Sequence, residues 1–478
     1  MIDDKQFIIG KDKYELSGWK QLQMANGIIF SYQEKLRVWH NESSSILLLG
    51  HAWQADPDRE APVLEIEKLA AKETITQTDV YEIEKTWCGR YLLIINDWIY
   101  LDAVGCLGVF YSSDHISSSL HVLCNSEGRE IVYPKIVRGQ DPDFVPGMRT
   151  CYNGVRRLLP SQIYNIVTHE IRTRPLFPNG IMAAASDEER VDKLEVCFVH
   201  SLRNMGTCFR GQQLWLGLTG GRDSRLTMSM MEKTGLDYST YTCNYKWIDP
   251  ADVIIPKILS KKLKRENVFL QPIDNDSCQK RHNDYLVHTA GMSVDIDWRY
   301  YALDQYKPLY ADGKDIVLLR SGIWEIAKEF YYPMNGYKEE PDFERIFPAI
   351  KNNHLLRESL YEWYDYCAND ITNKDISILN KVYWDLRTGC WISSIEQSYD
   401  MMEHITSIQP CNSRLFLSIL MGFDQPVRLS KKHMELITNR VCPAIGKIPY
   451  DTEYKVRVKL KTRIHRLLRK YKRMLTNG

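Results

Sequence analysis

The chain has 478 residues, of which 44% are hydrophobic and 26% are charged. These proportions exclude disordered, collagen-like and coiled-coil proteins, and no run of about 18 apolar residues exists that would span a bilayer. The net charge of +1 averages two unlike parts, since residues 1–454 hold 52 Lys and Arg against 61 Asp and Glu. Residues 455–478 hold ten basic residues and no acid.

Residues 1–183 are expected to form a β-rich domain. Short apolar runs recur there between turn residues, at 44–50, 89–101, 106–112, 120–125 and 161–167. Such runs are typical of strands in a layered sheet. Residues 180–193 are first small and then acidic, which predicts a linker or the start of a helix.

Residues 184–452 are expected to form a parallel α/β domain, because predicted strands and helices alternate in it. The pattern predicts, in chain order, a helix at 191–205, a strand at 213–218, a helix at 224–235, and strands at 238–245 and 315–322. Residues 340–445 have a mostly helical period. The predicted fold class is α/β, with a β-sandwich domain followed by a doubly wound parallel sheet with helical additions.

The twelve cysteines and twelve histidines give no sign of a metal or redox centre. No two cysteines have the CxxC spacing of zinc ribbons and thioredoxin-like proteins, and no HExxH motif is present. The first residues lack the basic and apolar regions of a secretory signal. We therefore expect reduced thiols in a cytoplasmic protein, free or held peripherally on the inner face of the membrane.

The stretch Gln213–Leu226 carries the clearest functional signal. A predicted strand ends at Leu218 and leads into Gly220 and Gly221, after which the next helix begins and runs to a capping Gly235. Glycines let a backbone approach a ligand closely, and the N–H groups and positive dipole end of a helix start attract anions. This strand–turn–helix unit therefore predicts a phosphate site.

Polar side chains in the same stretch strengthen that prediction. The hydroxyls of Thr219 and Ser224 add hydrogen-bond donors, and the carboxylate of Asp223 suits Mg²⁺ bridging phosphates. The alternative interpretation is a tight turn in which Asp223 or Ser224 serves only as a helix N-cap. The stretch is not a Walker A loop, because no Gly-Lys-Ser/Thr follows the glycines.

The string LTGGRDS resembles the SGGxDS pyrophosphate loop of the N-type ATP pyrophosphatases, and particularly of their asparagine synthetase-like branch. Thr219 takes the place of the usual first serine and keeps its hydroxyl, and Arg222 stands at the variable position. The resemblance implies a glutaminase-like sandwich in residues 1–183 and an ATP-pyrophosphatase domain in residues 184–452.

Four further stretches look like the same family. Asp102–Gly105 followed by Val109–Tyr111 resembles the DxxG…Y stretch of the glutaminase-like sandwich, and Gly154–Pro160 resembles the element that closes it. Asp249–Lys257 stands where the family has an acidic residue and a helix. Ser321–Glu325 is similar to the SGEGxDE segment that faces the pyrophosphate.

The resemblance implies a ligase that uses ATP and Mg²⁺. The residues that it assigns to the nucleotide are Leu218, Thr219, Gly220, Gly221, Asp223, Ser224, Ser321 and Gly322, and the metal ligands would be Asp223 and Glu325. A substrate carboxylate, such as a uronic acid or a peptide carboxylate, would attack the α-phosphorus to give an acyl-adenylate and pyrophosphate. An amine or ammonia would then form the amide and release AMP.

The sequence departs from the family at two places. No cysteine stands directly after Met1, so we expect no glutamine hydrolysis and a degenerate N-terminal domain, as in β-lactam synthetases and some lasso-peptide cyclases. Trp324 replaces the family's metal-binding aspartate, which leaves Glu325 as the acid of that segment. Glu325 is expected to take a metal or proton-relay role, the alternative being a solvated acid at a helix start.

The family also uses a lysine to stabilise the tetrahedral intermediate of ligation. Candidates here are Lys431, Lys432 and Lys447, and we favour Lys447 because neighbouring glycine and proline residues fix its turn. Arg387 and Arg414 lie in a region resembling the helical lid over the acceptor pocket. They are candidates for pairing with a substrate carboxylate, and helix-surface or interhelical salt bridges are the alternative.

Residues 453–478 form a third predicted unit, a basic amphipathic helix. From Leu460 onward apolar residues recur at helical spacing and Lys and Arg fill the other faces. Such a helix suits an anionic membrane surface, and the alternative is that it docks on the acidic body of the chain. The acidic body disfavours a nucleic-acid partner.

The ligase interpretation has two competitors. An RNA-modifying adenylating enzyme of the wider pyrophosphatase group would account for the basic tail. A non-catalytic scaffold would account for Trp324 and for the missing first glutamate of the SGEGxDE segment.

Overall fold

A computed structural model of the chain describes residues 4–130, 135–137, 139–177, 185–244, 248–271, 276–294, 298–306 and 313–454. Two antiparallel sheets form in the N-terminal part and one five-stranded parallel sheet in the C-terminal part. The predicted α/β class is therefore confirmed.

The strands of the antiparallel sheets are short, except β5 and β6. They are β1 (Phe7–Gly10), β2 (Trp19–Gln23), β3 (Ile29–Gln33), β4 (Val38–His40), β5 (Ile46–Gln54), β6 (Trp87–Ile95), β7 (Trp98–Leu101), β8 (Phe110–Tyr111), β9 (Ile116–Ser117), β10 (Arg156–Arg157), β11 (Gln162–Asn165) and β12 (Ile171–Thr173). The parallel strands are β13 (Gln213–Gly217), β14 (Ser239–Cys243), β15 (Asn267–Leu270), β16 (Ile316–Leu319) and β17 (Ile405–Ile408).

Helices flank these sheets and dominate the region after β16. Up to that strand they are α1 (Pro62–Ala70), α2 (Gln77–Glu84), α3 (Leu120–Ser126), α4 (Asp187–Cys208), α5 (Arg222–Thr234), α6 (Ala251–Leu263), α7 (Asp276–His288) and α8 (Trp298–Gln305). Beyond it they are α9 (Tyr331–Met334), α10 (Phe343–Ile346), α11 (His354–Ala368), α12 (Ile378–Lys381), α13 (Ser393–Ser398), α14 (Arg414–Met421), α15 (Gln425–Ser430), α16 (Lys432–Val441) and α17 (Pro443–Gly446). Shorter 3₁₀ segments lie at Gly322–Lys328, Pro348–Lys351 and Tyr399–Met401, and a π-helical segment at Val382–Ile392.

The two antiparallel sheets stack on each other. Their strand orders are β10-β8-β9-β1-β3-β2 and β12-β11-β7-β6-β5-β4. Apolar side chains from both sheets fill the space between them, among them Phe7, Phe30, Leu49 and Leu92. Helices α1 and α2 cover the other face of the second sheet, so β6 is buried along its whole length.

The parallel sheet has the strand order β15-β14-β13-β16-β17, so the order reverses between β13 and β16. Leu216 and Leu319 point into a core shared with α4 and α5, and Trp215 and Leu318 into a core shared with α7 and α8. Helices therefore cover both faces. In open sheets of this kind ligands bind at the carboxyl ends of the strands where the order reverses.

A buried aspartate joins the N-terminal sheets to the C-terminal half. The carboxylate of Asp102 accepts hydrogen bonds from the backbone N–H groups of Val104 and Cys106, each at 3.1 Å. It also accepts one from the side-chain amide of Asn412 at 2.8 Å, and that amide reaches the Gly89 carbonyl at 2.6 Å. Asp102 therefore fixes both its own turn and the loop after β17.

Buried ion pairs cross the same interface. The guanidinium of Arg90 makes two hydrogen bonds to the Asp400 carboxylate, at 2.8 and 2.5 Å. The guanidinium of Arg414 lies 3.3 Å from the carboxylate of Glu84, which also pairs with Arg174. Since all these side chains are buried, Arg414 is committed to this network and not to a substrate.

Arg387 is also occupied within the fold. Its guanidinium lies 3.4 Å from the Asp141 carboxylate and 3.9 Å from the ring centroid of Trp391. The salt-bridge alternative for Arg387 and Arg414 therefore describes both residues.

The predicted elements of the parallel domain are confirmed in α4, β13, α5, β14 and β16, and Gly235 caps α5 in the left-handed conformation. The strand predicted at 120–125 is wrong, because these residues form α3. The Ser119 hydroxyl accepts the Val122 N–H at its start. Residues 340–445 are mostly helical as predicted, but they also contain β17. Residues 455–478 of the predicted tail helix lie outside the described residues.

Within the described ranges, none of the helices combines the length and the apolar character that crossing a bilayer requires.

Candidate active site

The turn between β13 and α5, residues 218–221, is called the glycine loop here. It lies where the order of the parallel strands reverses. Strand β13 ends at Gly217, and α5 begins at Arg222 with Gly221 as its N-cap residue. No side chain caps this helix start, so its first N–H groups are not taken up by an N-cap side chain. The N-cap alternative for Asp223 and Ser224 is therefore not what the structure has.

Hydroxyl groups shape the loop from inside. The Thr219 N–H donates to the Ser224 Oγ at 3.1 Å, and the two side-chain hydroxyls lie 3.2 Å apart. The Gly221 N–H lies 3.4 Å from the Thr219 Oγ1. Thr219 and Ser224 therefore hold the turn, in addition to any contact with a ligand.

Helix α6 packs tightly against the loop at Gly220. The Gly220 N–H donates to the Asp252 carboxylate at 2.8 Å. A Cβ atom at Gly220 would lie 2.9 Å from the Ala251 carbonyl oxygen and 3.1 Å from the Ile255 Cδ1. Only glycine fits this contact, so Gly220 has a packing role in the loop.

Alanine substitutions at Gly220 and Gly221 are expected to lower the folding stability by different amounts. Gly220→Ala is expected to cost about 1–3 kcal/mol, because the new methyl group overlaps the backbone of α6. Gly221→Ala is expected to cost less than about 1 kcal/mol, because it loses only the N-cap preference of glycine. The nearest atom to a Cβ there is the Thr219 Oγ1 at 3.5 Å. Urea unfolding of both variants checks this, and equal costs would contradict the packing role of Gly220.

A buried lysine joins the two acidic residues of the site. The Lys328 ammonium lies 2.6 Å from the Asp223 carboxylate and also pairs with the carboxylate of Glu325. Glu325 and Lys328 are three residues apart in a 3₁₀ helix, where such side chains lie on the same face. The structure therefore brings together the two predicted metal ligands, with a cation between them that the sequence reasoning did not identify.

Burial and this ion triad shift the protonation of all three groups. Burial raises the pKa of the Asp223 carboxyl to about 7, with Glu325 adding to the rise and Lys328 opposing it. Burial alone would raise the pKa of Glu325, but the Lys328 ammonium outweighs it and the pKa is lowered. Burial likewise opposes the charge of Lys328, whose pKa is nevertheless raised by the two carboxylates. Burial therefore favours the neutral form of Asp223, whereas the charge of Lys328 favours the ionised form of Glu325.

The segment before Tyr454 closes the site from the C-terminal side. The buried Arg225 guanidinium donates to the Pro449 carbonyl at 3.0 Å and lies 3.8 Å from the Tyr450 ring centroid. The Asp451 N–H donates to the Gly220 carbonyl at 3.2 Å. Arg225, one turn into α5, therefore fixes this segment against the loop.

A cavity of about 210 Å³ opens between the loop, the 3₁₀ helix and this segment. The basic residues that line it are Arg222, Lys328 and Lys431, and the acidic ones are Asp223, Asp252, Glu325 and Asp451. The lining carries one more acid than base. An accompanying cation would therefore favour the entry of an anionic ligand.

Most basic groups of the cavity are already paired. The Arg222 guanidinium lies 2.6 Å from the Glu435 carboxylate and 3.8 Å from that of Asp451. Lys431 differs, because it forms no ion pair with any residue that the structure describes. It stands between α15 and α16 with a φ of +62°, a conformation that glycine adopts more easily than lysine. Lys431 is therefore the cation most available to a ligand.

The other predicted site residues are placed differently. Leu218 is a core residue whose N–H donates to the Tyr241 carbonyl at 2.8 Å. The Ser321 hydroxyl donates to the Thr227 hydroxyl at 2.8 Å, and the Gly322 N–H donates to a side-chain oxygen of Gln409 at 2.9 Å. None of these three predicted nucleotide-binding residues lines the cavity, and neither do Gly220 and Ser224.

The tryptophan that replaces the family's aspartate belongs to the core. The Trp324 ring packs against Phe198 and Phe416, with centroids 5.4 and 6.5 Å away, and its N–H donates to Thr227. Glu325, the next residue, points into the cavity. An acid at position 324 would therefore face the interior and not the cavity.

Lys447, the favoured ligation lysine, lines a separate groove with Lys257 and Lys261. Of the three candidates, Lys431 is the one that lines the cavity. Lys432, the next residue, is exposed and also does not line it.

Protein comparisons do not identify the site. The chain matches no protein-family model, and no curated protein matches it either.

The carboxylates of the cavity fit a Mg²⁺ ion that is shared with a phosphate-bearing ligand. Among the described residues, no three or more His, Cys, Asp and Glu side chains come together as a metal site. Mg²⁺ is commonly bound by one or two carboxylates together with substrate phosphates. Asp223 and Glu325 are the carboxylates of the lining that would hold such an ion.

Proposed function

We propose that the protein is an ATP-dependent ligase that joins a substrate carboxylate to an amine or ammonia, with release of AMP and pyrophosphate. The supporting observation is the cavity at the carboxyl ends of β13 and β16, where an uncapped helix start meets Asp223 and Glu325. The string LTGGRDS and this position in the sheet both suit the binding of ATP phosphates.

We propose a different domain type for each half of the chain. The stacked antiparallel sheets with helices outside support a degenerate glutaminase-like domain in residues 1–183. The reversed strand order of the parallel sheet supports an ATP-pyrophosphatase domain in residues 184–452. Cys88, the first cysteine, is buried in β6 and its thiol pKa is raised to about 12 by burial, so it is no nucleophile.

In the proposed reaction an oxygen of the substrate carboxylate attacks the α-phosphorus of ATP, and the bond to pyrophosphate breaks. The N–H groups at the start of α5 and the Lys431 ammonium are placed to hold the departing negative charge. The nitrogen of the amine then attacks the acyl carbon and loses a proton, and AMP leaves.

The role of Lys328 in this scheme is positioning. Its ammonium holds the carboxylates of Asp223 and Glu325 on the same side of the cavity. When bound through these two carboxylates, Mg²⁺ supplies charge stabilisation for the phosphates.

The experiment that tests the proposal is ATP–pyrophosphate exchange with candidate acids. We expect exchange in the presence of Mg²⁺ with one class of carboxylate, uronic acids and peptides being the first to assay. Glutamine is not expected to serve as the nitrogen source. If no acid elicits exchange and ATP does not raise the melting temperature, the protein is a scaffold and not a ligase.

Substitutions of Lys431 and Lys447 are expected to have different effects on the rate of ATP–pyrophosphate exchange. Lys431→Met is expected to lower exchange by about 100-fold or more, because it removes the available cation of the cavity. Lys447→Met is the matched control and is expected to stay within about twofold of the wild type. Equal losses in the two variants, or a loss in Lys447→Met alone, would contradict the assignment.

A further inference from the structure

A second basic feature lies outside the candidate active site. Helix α6 and the end of α17 border a groove of about 660 Å³. Four lysines line it, Lys257, Lys261, Lys262 and Lys447, together with the apolar side chains of Ile258 and Ile448. Ile258 is 42% exposed, so it adds apolar surface between the lysines.

Carboxylates of the described residues do not neutralise these lysines, although the Lys257 ammonium lies 4.6 Å from the ring centroid of Phe269. None of the four forms an ion pair with a carboxylate in the described part of the chain, although the residues before the tail hold more acids than bases. All four are exposed. Four ammonium groups around an apolar groove complement a ligand that is anionic at its surface and apolar beneath it.

The lining chemistry favours a lipid surface over a nucleic acid. Single-stranded nucleic acids bind on aromatic rings and arginine planes, but this groove has neither among its lining residues. Lysines can keep their ammonium groups at the level of phosphate headgroups while their methylene chains and neighbouring aliphatic side chains enter the interface.

The position of the groove relative to the basic tail supports the same ligand. Lys447 lies seven residues before Tyr454, the last described residue, and residues 455–478 add ten basic residues without an acid. Residues 455–478 and the groove carry charge of the same sign, so the two repel each other. An anionic bilayer is the surface that both would contact.

We propose that the groove formed by α6 and the end of α17 is a docking surface for an anionic phospholipid bilayer. Binding there brings the folded part of the chain that contains α6 and α17 to the membrane. This contact is separate from any contact that residues 455–478 make. A membrane position would suit a lipid-linked or membrane-proximal substrate.

Vesicle co-sedimentation of the full-length protein tests this proposal. The vesicles contain phosphatidylcholine alone, or phosphatidylcholine with about one third phosphatidylglycerol. We expect binding only to the anionic vesicles, with release as the salt concentration rises. The double variant Lys257→Glu/Lys261→Glu is expected to lower the partition coefficient at least about tenfold, although its tail is intact.

A charge-matched control is the double variant Lys11→Glu/Lys13→Glu, at two exposed lysines of the N-terminal half. It is expected to bind like the wild type, and thermal unfolding shows that both variants are folded. The proposal is overturned if the groove variant binds like the wild type, or if both variants lose binding equally. It is also overturned if the groove variant loses affinity for single-stranded RNA but not for vesicles.

Discussion

Asp223→Asn is expected to abolish ATP-dependent amide formation, with a loss of about 10³-fold or more in turnover, and to leave the protein folded. The carboxylate lines the cavity and pairs with Lys328, so the amide keeps its shape but not its charge. Turnover with an active acid is the measurement. Retention of a tenth of wild-type activity would contradict the role of Asp223.

Although Asp223→Asn is expected to lose activity, it is expected to gain folding stability at high pH. The folded-state pKa of Asp223 is raised to about 7, so the fold favours the protonated carboxyl and loses stability as the pH rises from 4 through 7. Asparagine stays neutral, and we expect Asp223→Asn to be more stable than the wild type by about 1–2 kcal/mol at pH 8. The two should converge near pH 4. Urea unfolding at both pH values tests this, and lower stability at pH 8 would contradict it.

Glu84→Gln is expected to destabilise the protein by about 3–5 kcal/mol. The Glu84 carboxylate is the partner of two buried guanidinium groups, those of Arg174 and Arg414, and also accepts the Tyr91 hydroxyl at 3.2 Å. An amide leaves both positive charges buried without an opposite charge. The interface between the two halves of the chain should weaken accordingly.

Glu82→Gln is a matched control two residues earlier in α2. Glu82 is 59% exposed and pairs with Lys85, so the substitution is expected to change stability by less than about 0.5 kcal/mol. Urea unfolding of both variants decides the question. If Glu84→Gln costs no more than Glu82→Gln, the buried network does not stabilise the interface.

Much of the parallel domain can be predicted from the sequence. The α4, β13 and α5 patterns are long or strongly apolar, and they are bounded by clear signals such as Ser186 before α4 and Gly235 after α5. Short elements are harder, because four or six residues contain little periodicity. Residues 120–125 form a helix because Ser119 caps its start. The only apolar residues that indicate a strand at β17 are Ile405 and Ile408.

The candidate site is predicted in part. The loop and both acids can be found by their string and by resemblance, but their contacts depend on elements that come together only in the fold. Asp252 reaches Gly220 from another helix, and Lys431 arrives from a turn about 200 residues later. The pairing of Lys328 with Glu325 could have been predicted from the sequence. The two residues are three positions apart, a spacing that places side chains on the same face of a 3₁₀ helix.

The N-terminal sheets contact the elements that hold the cavity. Asp102 holds the loop after β17 through Asn412, and Arg90 holds Asp400. The strand β17 and the loop after it adjoin the helical segment that carries Glu325, through the contact of Gly322 with Gln409. The N-terminal sheets therefore brace the cavity even if they catalyse nothing.

Calorimetric titration with Mg·ATP tests the central claim most directly, since it needs no knowledge of the acid or amine. We expect one site per chain in the wild type and in the control Asp237→Asn, whose side chain is fully exposed just beyond α5. Asp223→Asn should bind at least about tenfold more weakly, a loss of about 1.4 kcal/mol. No binding by the wild type, or equal binding by all three proteins, would contradict a nucleotide site at the glycine loop.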